Sequence, residues 1–200
     1  MISTHKNIAL RIDQYSGGTL LFPKDFRGLG SEDAIKMSLS RCVDNGILER
    51  LAHGIYLKVN KKGKMKRPNL ESIALSIAKK EHIKIKPSGS FALYKLGWTA
   101  HPTRDLIYIT DGEPRNILIG EKRLVFKSTT PKKLKLSTGI SGLLIQALEE
   151  IGKNSIDEKI KTEIIKQLSK EKQSVLLADL KLAPAWIYDL LYKLNQKIIR

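Results

Sequence analysis

Cysteine is nearly absent. The 200 residues hold one, Cys42, which excludes an internal disulfide and any cysteine-based zinc site. It falls on the apolar side of a predicted helix and reads as a small core residue. Histidine is scarce too. His5, His53, His82 and His101 show no metal-ligand spacing, so no metal site is expected. No apolar run approaches the roughly 18 residues of a membrane span, and no membrane partner is expected. The start, MISTHKNIALRIDQY, carries charges throughout and lacks an apolar signal core, so a cytoplasmic location is expected. A P-loop and a dinucleotide fingerprint are both missing, and no cofactor is expected. Aromatics make up only 6%. There is no internal repeat and no low-complexity segment.

What the chain has is positive charge. The formal net charge is +16 and the pI about 9.9. Such a balance predicts a polyanionic partner, an acidic protein partner, or both. Residues 1–60 carry 8 Lys/Arg and 6 Asp/Glu, residues 61–136 carry 18 and 6, and residues 137–200 carry 10 and 8. The middle of the chain is the basic part. With 42% hydrophobic residues, the length suffices for one ordinary domain or two small ones.

The stretch SRCVDNGILERLAHGIYLKV, residues 40–59, changes period at Gly46. Before it the apolar residues recur at helical spacing; after it they crowd together as in strands. A first helix is expected from about Thr4 to Tyr15, with Ile8, Ala9, Ile12 and Tyr15 on one face, ended by Ser16-Gly17-Gly18. Thr19–Phe22 reads as a short strand. Pro23 suits the first turn of a short second helix with Phe26 inward, broken by Gly28 and Gly30. Ser31 is an N-cap for a third helix whose first turn holds Glu32 and Asp33. Ile35, Leu39, Cys42 and Val43 form its buried stripe, and Gly46 can supply a left-handed C-cap. Ile47–Leu51 and Ile55–Val59 read as strands joined at Ala52-His53-Gly54.

This is the order of a winged helix-turn-helix, with the third helix as recognition helix and the hairpin as wing. The outward positions are Ser31, Glu32, Lys36, Met37, Ser40 and Arg41 on the helix, and Arg50, His53 and Lys58 on the wing. Double-stranded DNA is the expected partner. The alternative is a protein-interaction module in which the winged helix, close to neutral over residues 1–60, is a scaffold and the basic middle region, residues 61–136, binds an acidic protein or RNA.

Residues 61–69 read as a basic linker. Lys61, Lys62, Lys64, Lys66 and Arg67 are candidate phosphate contacts. A second domain is expected over 70–200, mixed α/β to about 136 and helical over 139–198. Asn69 caps a helix from Leu70 to about Lys80, burying Ile73, Ala74 and Ile77. Ile83–Lys86 alternates like an edge strand. Ser88-Gly89-Ser90 opens a helix to about Leu96, ended by Gly97. Asp105–Thr110 is a strand, Arg115–Ile119 its hairpin partner, and Arg123–Lys127 a third strand. Together they predict a small antiparallel sheet. Leu143, Leu144, Ala147, Leu148 and Ile151 form the apolar face of the next helix. Three more helices are expected at about 155–169, 172–182 and 184–198. The expected fold class is therefore α+β: a winged helix-turn-helix domain at 1–60, then an α/β domain with a helical C-terminal part.

Two features bear on catalysis. Ser88-Gly89-Ser90, entering a helix after a strand, has the form of a nucleotidyltransferase Gly-Ser. Such a site also needs two carboxylates close enough to hold magnesium. Asp105 and Asp111 flank a strand at opposite ends, roughly 20 Å apart. Glu113, Glu121 and Lys122 lie in a hairpin region without a nuclease-like Asp…Glu-x-Lys spacing. No catalytic residue is assigned and the chain is not expected to be an enzyme.

A family resemblance rests on several short motifs in order. They are Leu39-Ser40-Arg41, Gly46-Ile47-Leu48, Arg50 and Gly54-Ile55-Tyr56; then Pro87-Ser88-Gly89 with Ala92-Leu93 and Leu96-Gly97. Tyr108–Gly112, Gly142–Leu148 and Ala183–Ile187 follow. Over about residues 5–195 the chain resembles the AbiEi-type antitoxins of bacterial abortive-infection, type IV toxin–antitoxin systems, which act in phage defence. The resemblance implies a transcriptional autorepressor whose N-terminal domain binds inverted repeats in its own promoter. It also implies a C-terminal domain that counteracts a cognate nucleotidyltransferase-like toxin, without requiring a stable complex. DNA contacts would come from residues 31–44 and the wing around 50–58.

Overall fold

The structure is a computed structural model that describes residues 3–60, 67–100 and 104–199. It is mixed α+β, with a three-stranded antiparallel sheet and a four-stranded mixed sheet. The chain divides into two compact units. One is Met1–Ser76 with Leu118–Gly120, and the other is Ile77–Ile117 with Glu121–Arg200. Of the expected linker at 61–69, residues 61–66 lie outside the described residues.

In the first unit, α1 (Thr4–Asp13) starts at Ser3, whose hydroxyl accepts from the Lys6 N–H at 3.3 Å. It ends two residues before Tyr15. Ile8 and Ile12, four apart, are fully buried, while Ala9 and Tyr15 are only half-buried. β1 is only Leu20–Leu21. Pro23–Phe26 is a 3₁₀ turn, and Asp25 accepts from the Phe22 N–H at 2.8 Å. Phe26 is fully buried, a burial that contributes about 1.5–3 kcal/mol.

α2 (Glu32–Asp44) is capped as its sequence requires: the Ser31 hydroxyl accepts from the Ala34 N–H at 3.3 Å. At its end, the Gly46 N–H donates to Val43 O and the Ile47 N–H to Cys42 O, both at 2.9 Å. This closure needs a left-handed residue, and Gly46 has φ +66°. Ile35, Leu39 and Cys42 are buried, with Ser38 beside them donating back to Ala34 O at 2.7 Å. β2 (Leu48–Ala52) and β3 (Ile55–Lys58) turn at His53-Gly54, where Gly54 has φ +69°. The sheet order is β1-β3-β2. β3 takes the centre because Ile55, Tyr56 and Leu57 are all apolar and all buried. A register shift between Arg50 and Ala52 bends the hairpin near its tip.

α3 (Leu70–Glu81) begins where Asn69 accepts from the Ser72 N–H at 2.7 Å, and it buries Ile73, Ala74, Ile77 and Ala78.

The four-stranded sheet corrects one expectation of topology. β4 (Ile85–Pro87), β5 (Asp105–Thr110), β6 (Arg115–Ile119) and β7 (Lys122–Ser128) are ordered β4-β5-β7-β6. β6 is therefore not the hairpin partner of β5. β5 lies parallel to β7, with Asp105 opposite Arg123 and Thr110 opposite Ser128. The turn Asp111–Pro114 has the composition of a hairpin, but the chain passes β7's place and returns. Gly120 and Glu121 alone link β6 to β7, too few residues for a parallel crossover, so those two form the hairpin. β7 wins the central place because Leu124 and Phe126 are buried, whereas β6 alternates between half-buried and exposed. β4 is an edge strand, antiparallel to β5.

α4 (Gly89–Lys95) and α5 (Pro131–Leu134) flank the strands in sequence. Phe91 lies 5.2 Å from Tyr108, which lies 6.0 Å from Phe126, ring centre to ring centre. The helical core centres on α6 (Ile140–Ile151). Besides Leu144, Ala147 and Leu148, it buries Ser141, Gly142, Ile145 and Gln146. A single apolar face was expected; α6 is instead enclosed on most sides by α4, α7 (Glu158–Leu168) and α8 (Gln173–Leu180). α9 (Ala185–Ile199) closes against α7 and α8 through Ile187, Leu191 and Leu194. No helix among the described residues is long and apolar enough to cross a membrane.

Candidate nucleic-acid interface

The outer face of α2 follows from its inner one. With Ile35, Leu39 and Cys42 turned to the core, Asp33, Lys36, Met37, Ser40, Arg41 and Asp44 face solvent. Ser31 is exposed, but its hydroxyl is engaged as the cap. Met37 is 58% exposed, an apolar side chain in a polar row. Arg41 is exposed and stands in no ion pair among the described residues. Lys36 is shared between Glu32 at 3.8 Å and Asp33 at 3.7 Å. All three are exposed, so these pairs stabilise the helix little. They do spend the charge of Lys36 locally.

At the hairpin, Arg50 and His53 form one unit, with Arg50 Nη2 3.1 Å from His53 Nδ1. Guanidinium N–H groups only donate, so His53 Nδ1 is the accepting side of this contact.

Lys58 departs from expectation. Its side chain is only 12% exposed, and Nζ donates to Ile12 O at 3.0 Å and Asp13 Oδ1 at 3.1 Å. It ties β3 to the end of α1, whose last carbonyls lack intrahelical donors, and is not part of an outer surface. Arg67 pairs with Glu49 at 2.9 Å. Lys61, Lys62, Lys64 and Lys66 lie outside the described residues. The structure thus brings Met37, Ser40 and Arg41 together on one helix face, and Arg50 with His53 at one hairpin tip.

In the second unit, sequence reasoning missed a buried polar cluster. Asp179 is 2% exposed, yet accepts from the Ser137 N–H at 2.7 Å, the Ser137 hydroxyl at 2.6 Å and the Ser141 hydroxyl at 2.5 Å. Glu171 Oε2 accepts from the Ser141 N–H at 2.9 Å. Glu171 thus satisfies one backbone N–H in the first turn of α6, where the helix dipole favours negative charge, and Asp179 holds the Ser141 hydroxyl of the same turn. Nearby, Lys86 donates to Leu136 O. Burial holds its amine below the ordinary lysine range, opposed by the charge of Asp179. The sequence signal was available: an aspartate at a position where the α8 pattern calls for an apolar residue.

The Gly-Ser motif is taken up internally as well. The Ser88 hydroxyl donates to Gln146 Oε1 at 2.9 Å. Asp105 is held by Arg123 through two hydrogen bonds of 2.8 and 2.6 Å, and Asp111 Oδ1 accepts from the Lys84 N–H at 2.7 Å. No group of three or more His, Cys, Asp or Glu among the described residues is placed to hold a metal ion.

With this geometry in place, comparison with protein families finds one match, the "Family of unknown function (DUF6088)", over residues 7–176. The chain belongs to the DUF6088 family. Its family segment begins within α1 and ends within α8, so it takes in α2, the hairpin, the mixed sheet and the Asp179-flanking serines. No curated protein matches the chain.

Proposed function

We propose that this DUF6088 protein is a DNA-binding autorepressor and antitoxin of the type IV toxin–antitoxin class, not an enzyme. It would counteract a nucleotidyltransferase-like toxin. The observation that carries the reading is the order α1, β1, the 3₁₀ turn Pro23–Phe26 in place of a second helix, α2, β2, β3, with β3 central and a bent β2–β3 hairpin. That is the order of a winged helix-turn-helix. α2 is the recognition helix, offering Ser40 and Arg41 to base edges, and the Arg50–His53 tip is the wing. The antitoxin half is carried by the resemblance to AbiEi-type chains.

A second reading is favoured by one observation. The outer face and first turn of α2 carry Glu32, Asp33 and Asp44 against Lys36 and Arg41. A face with more acids than bases around an exposed methionine suits a protein partner. The deciding experiment measures binding to the DNA upstream of the protein's own operon and to a scrambled duplex, at two salt concentrations. A preference for upstream DNA that persists at higher salt supports the repressor. Equal binding that vanishes with salt removes it and leaves the protein-docking reading.

A further inference from the structure

The last two helices carry a surface that the operator reading does not use. Tyr188 and Tyr192 are 39% and 43% exposed, and their rings stack 5.7 Å apart and within 5° of parallel. They stand four residues apart on α9, and Asn195 continues the same stripe at the next helical step. Asn195 is 2% exposed, and its side-chain Nδ2 has no hydrogen-bond partner among the described residues. An i, i+4 aromatic pair adds only a few tenths of a kcal/mol to a helix, and half-exposed tyrosines leave much apolar area in water.

Charge narrows what can cover this surface. From Lys172 to the end of the chain the acids are Asp179 and Asp189, against Lys172, Lys181, Lys193, Lys197 and Arg200. Asp179 is buried in its serine cluster, so Asp189 is the one exposed acid of that segment. The hydrogen bond from Lys161 holds the Glu158 carboxyl low, and the charge of Lys197 adds a smaller contribution. Lys181 and Lys193 are exposed and in no ion pair among the described residues. A second copy of a +16 chain would be repelled. The occupant should be anionic and should carry flat apolar faces. Nucleic-acid bases have such faces, and they are free only outside a duplex.

We infer that the Tyr188–Tyr192 pair, with Lys181 and Lys193, is a stacking platform for single-stranded nucleic acid. Bases stack on the outer ring faces, and the two lysines meet phosphates. This stands apart from the α2 reading and survives if α2 binds no operator.

The test uses the full chain and a twelve-nucleotide uridine oligomer, single-stranded and paired with its complement, followed by fluorescence anisotropy. Tyr188→Leu with Tyr192→Leu keeps apolar bulk on the helix but removes the π faces. Stacking is lost at about 5- to 150-fold in affinity per base, so the double variant should bind the single strand at least about tenfold more weakly. Tyr188→Phe with Tyr192→Phe should retain most binding. Lys181→Gln with Lys193→Gln should flatten the salt slope by about 1.4, at about 0.7 per phosphate contact. Circular dichroism confirms that each variant is folded. Unchanged affinity in the leucine variant overturns the inference. So does equal loss on the paired form, or displacement of no oligomer while an acidic peptide binds in a tyrosine-dependent way; that last result would make the surface a protein-docking site.

Discussion

Asp179 and Ser137 are joined twice. The Ser137 N–H donates to Asp179 Oδ1 at 2.7 Å and its hydroxyl to Oδ2 at 2.6 Å. The pair bridges 42 residues and fixes the entry to α6 against α8. With Ser141 also donating to Oδ2, the buried carboxylate answers three donors. Asp179→Ala leaves the two half-buried Ser137 donors without this acceptor, while the Ser141 hydroxyl keeps only its longer contact of 3.3 Å with Glu171 Oε2, at an expected cost of about 1–3 kcal/mol. Asp179→Asn should lie between, since it keeps an acceptor but turns an amide toward hydroxyls. Denaturant midpoints measure both; a wild-type midpoint for Asp179→Ala would show that the cluster holds nothing together.

Gly142 sits under the same loop. A Cβ there would stand 2.2 Å from Ser137 O, a backbone atom that cannot swing aside. Gly142→Ala should cost about 3 kcal/mol by overpacking. Gly97→Ala is the contrast, because nothing lies within 4 Å of its Cβ position and only its φ of +74° opposes the change. That variant should lose about 1 kcal/mol. Equal losses would mean that the loop at Ser137 gives way and the close approach at Gly142 does not decide its cost.

Arg41 and Lys58 should separate binding from stability. Arg41→Ala removes an exposed guanidinium that stands in no ion pair among the described residues, and should weaken operator binding by about 1–3 kcal/mol while leaving the melting temperature unchanged. Lys58→Ala frees Ile12 O and Asp13 and should lower the melting temperature instead. If Lys58→Ala changes only DNA affinity, the assignment of Lys58 to the interior tie is wrong.

The Asp105–Arg123 pair should show on the acid side. The Arg123 hydrogen bonds hold the Asp105 carboxyl below its ordinary range. A depressed carboxyl contributes stability above its unfolded pKa, about 3.9, and loses it as pH falls through the lower folded value. The stability gap between wild type and Asp105→Asn should therefore be present at neutral pH and close in acid. A gap that widens as pH drops would contradict the pairing.

Cys42 is fully buried, and burial pushes its thiol up, aided by the charge of Asp13 and opposed by Lys58. The thiolate is the reactive form. A thiol reagent at neutral pH should label the folded protein slowly and the denatured protein at once. Rapid labelling of the folded state would show that α2 lifts from its core.

Local chemistry made most elements legible. Ser31 and Asn69 announced helix starts because their side chains reach backbone N–H groups three residues on. Gly46, Gly54 and Gly97 marked stops because few other residues tolerate positive φ. The outer face of α2 could be read from the positions of Ile35, Leu39 and Cys42. Helix ends were less legible: α1 stops at Asp13, since Tyr15 packs only partly and does not reward another turn. Lys58 was misplaced because alternation says which way a strand residue faces, not that α1 ends within reach of its ammonium.

Composition, periodicity and turn chemistry by themselves determined the α+β class, most of the helix and strand order, and the basic charge, which depend on the residues themselves and on neighbours close in sequence. Tertiary structure alone decided that β5 pairs with β7 and not β6, that α6 is buried nearly all round, and that Asp179, Ser137 and Ser141 share one site. Strand partners and buried polar groups are chosen by which distant segments can exclude water together, and that competition has no local signature in the chain.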